Sequence, residues 1–314
     1  MAMTEFEPGY LRLFRSGELA RRVEEAHARL ERCEICPRVC GAARLDGETG
    51  ECHTAARAVV CSAHPHFGEE RPLVGTGGSG TIFFSWCNLH CLYCQNYELS
   101  AEGSGREVDA DALASIMLEL QTMGCHNINF VSPSHVVPQI LESLLLAADQ
   151  GLHLPLVYNT GGYDHLETLA LLDGVIDIYM PDMKYSDEEA GLRLSKVGSY
   201  PEVNQAAVKE MHRQVGDLVM DELGVARRGL LVRHLVLPEG QAGTAQIVRF
   251  LADEISKDTY INVMDQYRPC HMASKTPPLH RRLTQQEYRD AVRLARDAGL
   301  RRLDDRRSAI VLIP

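Results

Sequence analysis

Cys87, Cys91 and Cys94 have the residue type and spacing in this sequence that most clearly predict chemistry. They lie in the run SWCNLHCLYCQN at residues 85–96 and are spaced C-x3-C-x2-C. Three thiolates at this spacing can bind three irons of a 4Fe-4S cluster and leave the fourth iron open to another ligand. The alternative is a zinc site in which His90 or a remote histidine supplies the fourth ligand. The spacing by itself is compatible with both sites.

A second group of cysteines precedes the first. Cys33, Cys36, Cys40 and Cys52 are spaced C-x2-C-x3-C-x11-C, and Cys61 follows them. Four thiolates can complete the coordination of a zinc ion or of an auxiliary iron-sulfur cluster, so these four residues form a candidate second metal site. The chain has 10 cysteines, and residues 33–94 hold all but two of them. Without a secretory signal, this clustering favours metal binding over disulfides.

Strand-like and helix-like patterns alternate after residue 80 and must position these cysteines. Strands are predicted at 81–84, 127–131, 154–158, 175–179, 230–236 and 260–264. Helices are predicted at 109–123, 135–150, 164–172, 201–224, 243–257 and 284–299. Six βα units predict an α/β fold in which a parallel sheet curls into a partial (β/α)6 TIM-like barrel. The loops after the strands of such a barrel meet at one mouth, where the three cysteines are expected.

The chain is predicted to form two domains. Residues 1–79 are expected to combine an amphipathic N-terminal helix at 9–32 with an irregular, cysteine-rich metal-binding module. Residues 80–314 are expected to form the partial barrel and a C-terminal extension. The apolar content of the cysteine-rich module is too small to fold it alone, so bound ligands are expected to organise it.

The net charge and hydropathy of the chain bear on which kinds of partner it can bind. The 314 residues have a formal net charge of -11 and a mean hydropathy of -0.17. An acidic surface attracts neither phosphate backbones nor anionic membranes, so we expect no nucleic-acid or membrane partner. No apolar run reaches the roughly 20 residues that span a bilayer. Residues 1–10 lack the pattern of a secretory signal, and a cytoplasmic protein is therefore expected.

The cysteine run resembles the signature of the radical S-adenosylmethionine superfamily, in which an aromatic residue commonly precedes the third cysteine, as Tyr93 does here. Within that superfamily the chain is most similar to uncharacterised relatives of the pyruvate formate-lyase activating enzyme. The likeness covers nearly the whole chain. It is clearest in four segments: HFGEE at 66–70, GSGTIFF at 78–84, CQNY at 94–97 and VMDQYRP at 263–269.

The resemblance implies that Cys87, Cys91 and Cys94 hold a 4Fe-4S cluster and that S-adenosylmethionine chelates its open iron. An electron donor such as flavodoxin or ferredoxin would reduce the cluster. The cofactor's sulfonium would then be cleaved, and the resulting 5′-deoxyadenosyl radical would abstract hydrogen from a substrate. The protein's own part would be to bind the cofactor, orient the target carbon and exclude water.

The resemblance also implies which side chains bind S-adenosylmethionine. Asp182 and Lys184 resemble the Asp-x-Lys that follows the fourth strand of the activating enzymes and contacts the cofactor's ribose and carboxylate. Their spacing of two places both side chains on one face of a strand. Asn159 and Thr160 resemble the turn after the third strand that contacts the methionyl amine.

Three further residues are expected to contact the cofactor. Tyr93 would offer its backbone to the adenine, and Asn96 would offer its side chain. Arg233 alternates with Leu231 and Leu235 on the fifth predicted strand, so its side chain is expected to point toward the site. The alternative for Arg233 is an outward-facing, solvated position.

One departure from the resemblance concerns the loop after the second predicted strand. Members commonly carry a Gly-Gly-Glu stretch there, which receives the amino group of the cofactor. This chain has the sequence VSPSH at 131–135 instead. Because the glutamate is absent, amine contacts are assigned to hydroxyls, carbonyls or Asp182, with Ser132 and Ser134 as candidates.

Three functions remain compatible with the sequence. A radical enzyme of this kind can activate a protein partner by abstracting hydrogen from a backbone glycine. It can also modify a small molecule, a peptide or a protein side chain. The third interpretation is an iron-sulfur electron-transfer protein, which would need neither the Asp182 and Lys184 pair nor a barrel of six units.

Overall fold

A computed structural model describes residues 6–304 of the chain. Residues 1–5, at the start of the first predicted domain, and residues 305–314, at the end of the second, lie outside the described residues. The strands are β1 (Ala58–His66), β2 (Ser79–Phe84), β3 (Arg106–Val108), β4 (Ile128–Val131), β5 (Leu156–Thr160), β6 (Ile178–Pro181), β7 (Val219–Met220), β8 (Ala226–Leu235), β9 (Tyr260–Met264) and β10 (Arg302–Leu303).

The α-helices pack mainly around the convex face of the sheet that these strands form. They are α1 (Gly9–Arg15), α2 (Glu18–Ala28), α3 (Arg71–Val74), α4 (Tyr97–Ser100), α5 (Ala110–Thr122), α6 (Val137–Asp149), α7 (Leu166–Leu171), α8 (Glu188–Ser195), α9 (Tyr200–Val215), α10 (Thr244–Phe250) and α11 (Gln285–Asp297). Helix α10 continues as a π-helical turn, Leu251–Ile255.

Parallel pairing dominates the sheet, whose order is β10-β9-β8-β6-β5-β4-β2-β1-β3. The pairs from β10 to β2 along this order are parallel. Strand β1 joins β2 antiparallel, and β3 joins β1 antiparallel. The ends of this order are β10 and β3, so the described sheet is not closed. The predicted partial (β/α)6 TIM-like barrel is thereby confirmed.

Each of the six predicted strands corresponds to a strand of the parallel part of the sheet, although three begin one to three residues later than predicted. The strand predicted at 154–158 is β5, which begins at Leu156. Pro155 has no N–H and cannot donate to a ladder, so regular pairing begins after it. The strand predicted at 175–179 is β6, which begins at Ile178.

Two predicted helices are interrupted or shortened by glycines with positive φ. The helix predicted at 9–32 is two helices, α1 and α2, because Gly17 between them has a φ of 77°. The helix predicted at 201–224 is α9, which ends at Val215 because Gly216 has a φ of 72°. A left-handed residue ends a helix, and glycine adopts that conformation without steric cost.

The segment predicted as irregular contains a long strand that the sequence did not indicate. Strand β1 covers Ala58–His66 and pairs with β2, with a register shift between Val60 and Ser62. The bulge, and the histidines and proline in the second half of this strand, interrupt any two-residue period, which explains why it was missed. Pairing between β1 and β2 continues across the predicted domain boundary, and the division into two domains stays a prediction.

The sheet has two different faces. Its outer face packs against helices α5 and α6, with Phe84, Phe130 and Tyr158 in the largest hydrophobic cluster. Its inner face lines the lumen of the half-barrel, where a separate apolar cluster includes Leu73, Val157, Ile178, Met180 and Leu231. The alternation of side chains along each strand produces these two faces and directs every second residue into the lumen.

Candidate active site

The candidate site is a pocket at the carboxyl-terminal ends of the parallel strands. The loop after β2 carries the three cysteines into it, and the loops after β4, β5 and β6 form the facing wall. The predicted residues that line this pocket are Cys87, Cys91, Cys94, Tyr93, Asn96, Ser132, Asn159, Thr160, Asp182, Lys184 and Arg233. Of the predicted cofactor-binding residues, Ser134 does not line it.

Each of the three cysteine sulfurs has a polar neighbour that can donate a hydrogen bond to it. The backbone N–H of Leu89 lies 3.4 Å from the sulfur of Cys87. The hydroxyl of Ser100 lies 3.1 Å from the sulfur of Cys94. The hydroxyl of Ser195, on α8, lies 2.9 Å from the sulfur of Cys91. Such donors stabilise the negative charge on metal-bound thiolates.

The chemistry of this donor set fits an iron-sulfur cluster. Burial, reinforced by the neighbouring Cys91, raises the pKa of Cys87 to about 12. Burial also raises the pKa of Cys91, although the Lys184 ammonium opposes the rise. Cys87 and Cys91 therefore lie in a site that disfavours free thiolates. A metal that displaces their protons and binds the sulfurs would relieve that penalty.

Asp182 is the centre of an ion-pair network on the facing wall. Its Oδ1 accepts a hydrogen bond from Arg233 Nε at 2.9 Å, and its Oδ2 accepts one from Lys184 Nζ at 2.6 Å. Arg233 also donates from Nη2 to Asn159 Oδ1 at 2.6 Å. The alternative of an outward-facing Arg233 is therefore wrong. Asp182 and Lys184 lie together in the pocket because they follow β6 two residues apart.

The charges in this network hold one another ionised. Burial alone would raise the pKa of Asp182, but Arg233 and Lys184 outweigh it and keep that pKa below its usual value. Burial alone would lower the pKa of Lys184, but the Asp182 carboxylate holds it well above its usual value. Lys184 and Arg233 are the two cations of this wall, with Asp182 between them and Glu69 3.9 Å from Arg233. These cations favour a ligand that carries a carboxylate.

Ser134 does not line the pocket but contacts Thr160, which does. Its side chain is buried, and its hydroxyl lies 2.9 Å from that of Thr160. Thr160 in turn donates to Asp164 Oδ2 at 2.7 Å. Ser132 takes a more direct position, since it lines the pocket with a φ of 58° and donates its N–H to the Asn159 carbonyl at 2.9 Å. Positive φ at a non-glycine residue is a strained conformation of the kind that accumulates at functional sites.

The turn after β5 requires glycine. Gly162 has a φ of 74°, and a Cβ placed there would lie 2.2 Å from both Asn204 Nδ2 and the Asp182 carbonyl oxygen. Asn204, on α9, donates to that carbonyl oxygen at 3.0 Å. Close approach of the β5 and β6 loops therefore depends on the missing side chain at Gly162. This approach positions Asn159 and Thr160 beside Asp182.

Tyr93 lies within a chain of hydroxyls that ends at the cysteines. The Tyr93 and Tyr185 hydroxyls are 2.7 Å apart, and Tyr185 lies 2.7 Å from the Ser195 hydroxyl, which contacts Cys91. All three hydroxyls are buried. The sequence gave no local signal for Tyr185 or Ser195, because both come from a segment about a hundred residues after the cysteines and meet them only in the folded chain.

The segment between β1 and β2 closes the opposite end of the lumen. Leu73, on α3, lies in the apolar cluster of the inner face, and its carbonyl oxygen accepts a hydrogen bond from Asn127 just before β4. Glu70 is buried and accepts a hydrogen bond from Asn262 at 2.7 Å. Glu69 approaches Arg233 to 3.9 Å. The sequence favours an ordinary polar loop here, and the structure instead places both carboxylates below the Asp182 network.

The upstream cysteines line a separate, smaller cavity. Cys33, Cys36 and Cys52 are buried and Cys40 is exposed. All four line this cavity together with Arg44. Burial, opposed by the Arg38 backbone and reinforced by the other three cysteines, raises the pKa of Cys36 to about 12.

The segment that carries these cysteines contacts the loop of the first group directly. Arg38 donates from Nε to the carbonyl oxygen of Asn88 at 2.6 Å and from Nη2 to that of Lys196 at 3.1 Å. Asn88 follows Cys87 in the chain. The two cysteine groups therefore share one packed region, although they line different cavities.

Two features are absent from the part of the chain that the structure describes. Within residues 6–304, no three side chains of Cys, His, Asp or Glu are arranged as ligands of a single metal ion. The cysteines of a cluster bind different irons and lie farther apart than the ligands of one ion. No helix in this part of the chain combines the length and the apolar character that crossing a bilayer requires.

Comparison with known sequences identifies relatives and a superfamily. The profile of the Radical SAM superfamily matches residues 81–224, which include the cysteine run, Asp182 and Lys184. A protein of Methanocaldococcus jannaschii named Uncharacterized protein MJ0674 is 32% identical over 286 residues, which cover 89% of this chain and 78% of that protein. Uncharacterized protein MJ0808 of the same organism is 22% identical over 276 residues, with 79% and 73% covered.

A solved structure shares the fold. HydG, a maturase of the FeFe hydrogenase, superposes with a TM-score of 0.51 at 15% sequence identity. The superposition covers 71% of this chain and half of HydG, 50% of its length. This likeness concerns the arrangement of strands and helices alone. Together with the matched profile and the cysteine signature, it agrees with one assignment: the chain belongs to the radical S-adenosylmethionine superfamily.

Proposed function

We propose that the protein is an enzyme that uses a 4Fe-4S cluster to cleave S-adenosylmethionine reductively and to abstract hydrogen from a substrate. One observation carries the proposal: the three cysteines and the Asp182 network line the same pocket from opposite sides. An electron carrier needs cysteines but no wall of buried charged side chains facing them. The pocket therefore favours an enzyme over an iron-sulfur electron-transfer protein.

The cysteine side of the pocket suits the cluster, and the side with the Asp182 network suits S-adenosylmethionine. Cys87, Cys91 and Cys94 would hold three irons of the cluster, and Leu89 N–H, Ser100 and Ser195 would donate to their sulfurs. Bound there, the cluster would supply the electron that breaks a carbon-sulfur bond of S-adenosylmethionine. Reduced flavodoxin or ferredoxin is the proposed electron donor, in the reducing environment of the cytoplasm.

The opposite wall would bind and orient S-adenosylmethionine. Lys184 and Arg233 are the cations available to the methionyl carboxylate, and Asp182 keeps both in place. Asn159, Thr160 and Ser132 offer amide, hydroxyl and backbone groups to the methionyl amine, a role for which this chain has no glutamate after β4. Tyr93 and Asn96 would contact the adenine. A cofactor held at several points would present its reacting carbon in one direction, which lowers the entropic cost of reaching a productive geometry.

The proposed target is a backbone glycine of a partner protein, as the resemblance to activating enzymes supports. The alternative target is a small molecule, a peptide or another protein side chain. In either case the pocket residues would act by positioning the target carbon and excluding water, since neither Asp182 nor Lys184 is free to act as an acid or base while the two are paired.

The test of the proposed enzyme is S-adenosylmethionine cleavage by anaerobically reconstituted protein reduced with dithionite. We expect 5′-deoxyadenosine and methionine, measured by liquid chromatography and mass spectrometry. Cys91→Ala should abolish both products, whereas Cys125→Ala, which changes a buried cysteine outside both cavities, should form them at the wild-type rate. Absence of cleavage by wild-type protein with an intact cluster would contradict the proposal.

A second measurement distinguishes the targets. The reduced enzyme is mixed with S-adenosylmethionine and a glycyl-radical enzyme of the same source, and the mixture is frozen for electron paramagnetic resonance. A glycyl-radical signal that depends on Cys91 supports activation. Cleavage of S-adenosylmethionine without that signal supports the alternative target.

A further inference from the structure

Arg44 is an unusual cation because it is completely buried without a carboxylate partner among its hydrogen bonds. Its exposed fraction is 0%, the lowest of any described charged side chain. Its guanidinium donates to the carbonyl oxygen of Ala55 at 3.1 and 3.0 Å and to that of His135 at 2.9 Å. Among the described residues, no ion pair with Asp or Glu compensates this charge. A buried charge is unfavourable unless an opposite charge or a dense set of hydrogen bonds balances it.

The remaining neighbour of Arg44 is a cysteine sulfur. Nη1 of Arg44 lies 3.8 Å from the sulfur of Cys33. The small cavity next to it is lined by Cys33, Cys36, Cys40 and Cys52. His135 also lines this cavity, but burial and the Arg44 charge lower the pKa of His135 to about 3, so it remains neutral. Glu51 is the carboxylate that lines this cavity, but its side chain is 60% exposed and it pairs with Arg38 and His90. The thiols are therefore the remaining groups of the cavity that can give Arg44 an anionic partner.

We propose that Cys33, Cys36, Cys40 and Cys52 bind a second metal centre as four thiolates and that Arg44 balances its negative charge. Binding removes one proton from each thiol to solvent and forms four metal-sulfur bonds, with no change of oxidation state in the protein. A zinc ion and a 4Fe-4S core each carry less positive charge than four thiolates carry negative charge. Either centre is thus a net anion, which is the partner that Arg44 lacks.

The four cysteines already line one cavity, although in the described residues they are not arranged as ligands of a single ion. Three of them are buried, and Cys40 is the exposed member. A preformed site is not required, because metal binding and local ordering occur together. The same event fixes the backbone between Cys36 and Cys40, from which Arg38 reaches the loop of the first cysteine group.

Metal analysis of a variant that cannot bind the first cluster tests the proposal. Cys87→Ala, Cys91→Ala and Cys94→Ala are combined in the full chain, which is purified without oxygen and analysed for zinc, iron and inorganic sulfide. About one zinc per chain supports a zinc centre, and about four irons with four sulfides supports a cluster. Folded protein with neither metal overturns the proposal. Because the wild-type chain is assayed separately for S-adenosylmethionine cleavage, failure here is distinguishable from failure of the proposed enzyme activity.

Further substitutions assign the bound metal and test the role of Arg44. In the triple-alanine background, Cys36→Ser should lose the metal, whereas Cys125→Ala should retain it. Arg44→Met should release the metal to a chelator at least tenfold faster than Arg44→Lys, which keeps the positive charge at the same place. Circular dichroism establishes that each variant is folded. Equal release rates for folded Arg44→Met and Arg44→Lys would overturn the assigned charge balance.

Discussion

Asp182 and Arg233 join two neighbouring strands of the half-barrel at the level of the pocket. Arg233 Nε donates to Asp182 Oδ1 at 2.9 Å, and the two residues also form a parallel β-bridge. Strand β6 ends just before Asp182, while β8 continues past Arg233. The ion pair therefore extends the contact between β6 and β8 beyond their regular ladder. The stability of the contact between these two interior strands therefore depends on the same charged groups that line the candidate cofactor site.

Asp182→Asn should lower the free energy of unfolding by about 2 kcal/mol, because it leaves two partly buried cations without their carboxylate. The Asp182 side chain is 16% exposed, so the loss should be smaller than for a fully buried pair. Urea unfolding measures it. The matched control is Asp290→Asn, which removes an exposed pair with Arg293 and should change stability by less than about 0.5 kcal/mol. Equal losses in the two variants would contradict a special role for the Asp182 network.

The contribution of Asp182 should also depend on pH in a predictable direction. Its folded-state pKa lies below that of an unfolded aspartate, which is about 3.9. The stabilisation is therefore fully present above about pH 4 and is lost as the pH falls through the folded-state pKa. The difference in unfolding free energy between wild type and Asp182→Asn should be constant from pH 7 to pH 5 and should shrink only at more acidic pH. A difference that already shrinks between pH 7 and pH 5 would contradict the lowered pKa.

Gly162→Ala should destabilise the turn that positions Asn159 and Thr160. Its added Cβ would lie 2.2 Å from Asn204 Nδ2 and from the Asp182 carbonyl oxygen, in addition to the cost of positive φ. Gly151→Ala is a matched control, because Gly151 has a φ of 94° but no atom within 4 Å of the added Cβ. Positive φ alone costs roughly 1 to 2 kcal/mol for alanine. Urea unfolding should show a loss for Gly162→Ala that exceeds the control by at least about 1 kcal/mol.

Ser195→Ala should make the first cluster harder to reduce. With Cys91 bound as a thiolate, the Ser195 hydroxyl is the donor of their 2.9 Å contact. Such a bond stabilises the reduced cluster more than the oxidised one, because the reduced cluster is more negative. If this difference in stabilisation is about 1 kcal/mol, the midpoint potential changes by about 40 mV for one electron. Potentiometric titration followed by electron paramagnetic resonance should show a lower midpoint potential. Ser115→Ala, on the exposed face of α5, should leave the potential unchanged.

Arg38→Met should loosen the cysteine loop without removing a sulfur ligand. The substitution deletes the hydrogen bonds to the carbonyl oxygens of Asn88 and Lys196. We expect faster loss of the cluster's visible absorbance in air, with a decrease of about 1 to 3 kcal/mol in unfolding free energy. Arg249→Met, which changes an exposed arginine on α10, is the control. Identical bleaching rates in the two variants would show that the Arg38 contact does not protect the loop.

The sequence was sufficient to predict the features of the site that depend on local spacing. Cys87, Cys91 and Cys94 lie within eight residues, so their spacing alone brings the three sulfurs near one another. The two-residue spacing of Asp182 and Lys184 likewise places both side chains on one face. The strands of the half-barrel were predictable for the same reason, since each is a short apolar run followed by a helical period.

Other features depend on contacts between distant segments and had no local signal. Ser195 reaches Cys91 from α8, and Arg44 lies beside His135 from a segment 91 residues away. Strand β1 is bulged and lacks a regular alternation of apolar and polar residues, so only its pairing with β2 reveals it. The place of Glu69 and Glu70 inside the lumen also required the fold, because charged residues in sequence predict exposure.

The closed lower end of the lumen limits how a target can reach the site. Leu73 and the segment around it lie across the amino-terminal ends of β4 and its neighbours, so this end of the lumen is covered in the described chain. A target therefore has to reach the site from the cysteine side or from the side on which the sheet is open, between β10 and β3. A long polymer cannot pass from the cysteine side out through the covered end. Bound S-adenosylmethionine or its fragments would have to leave on the same sides from which a target enters.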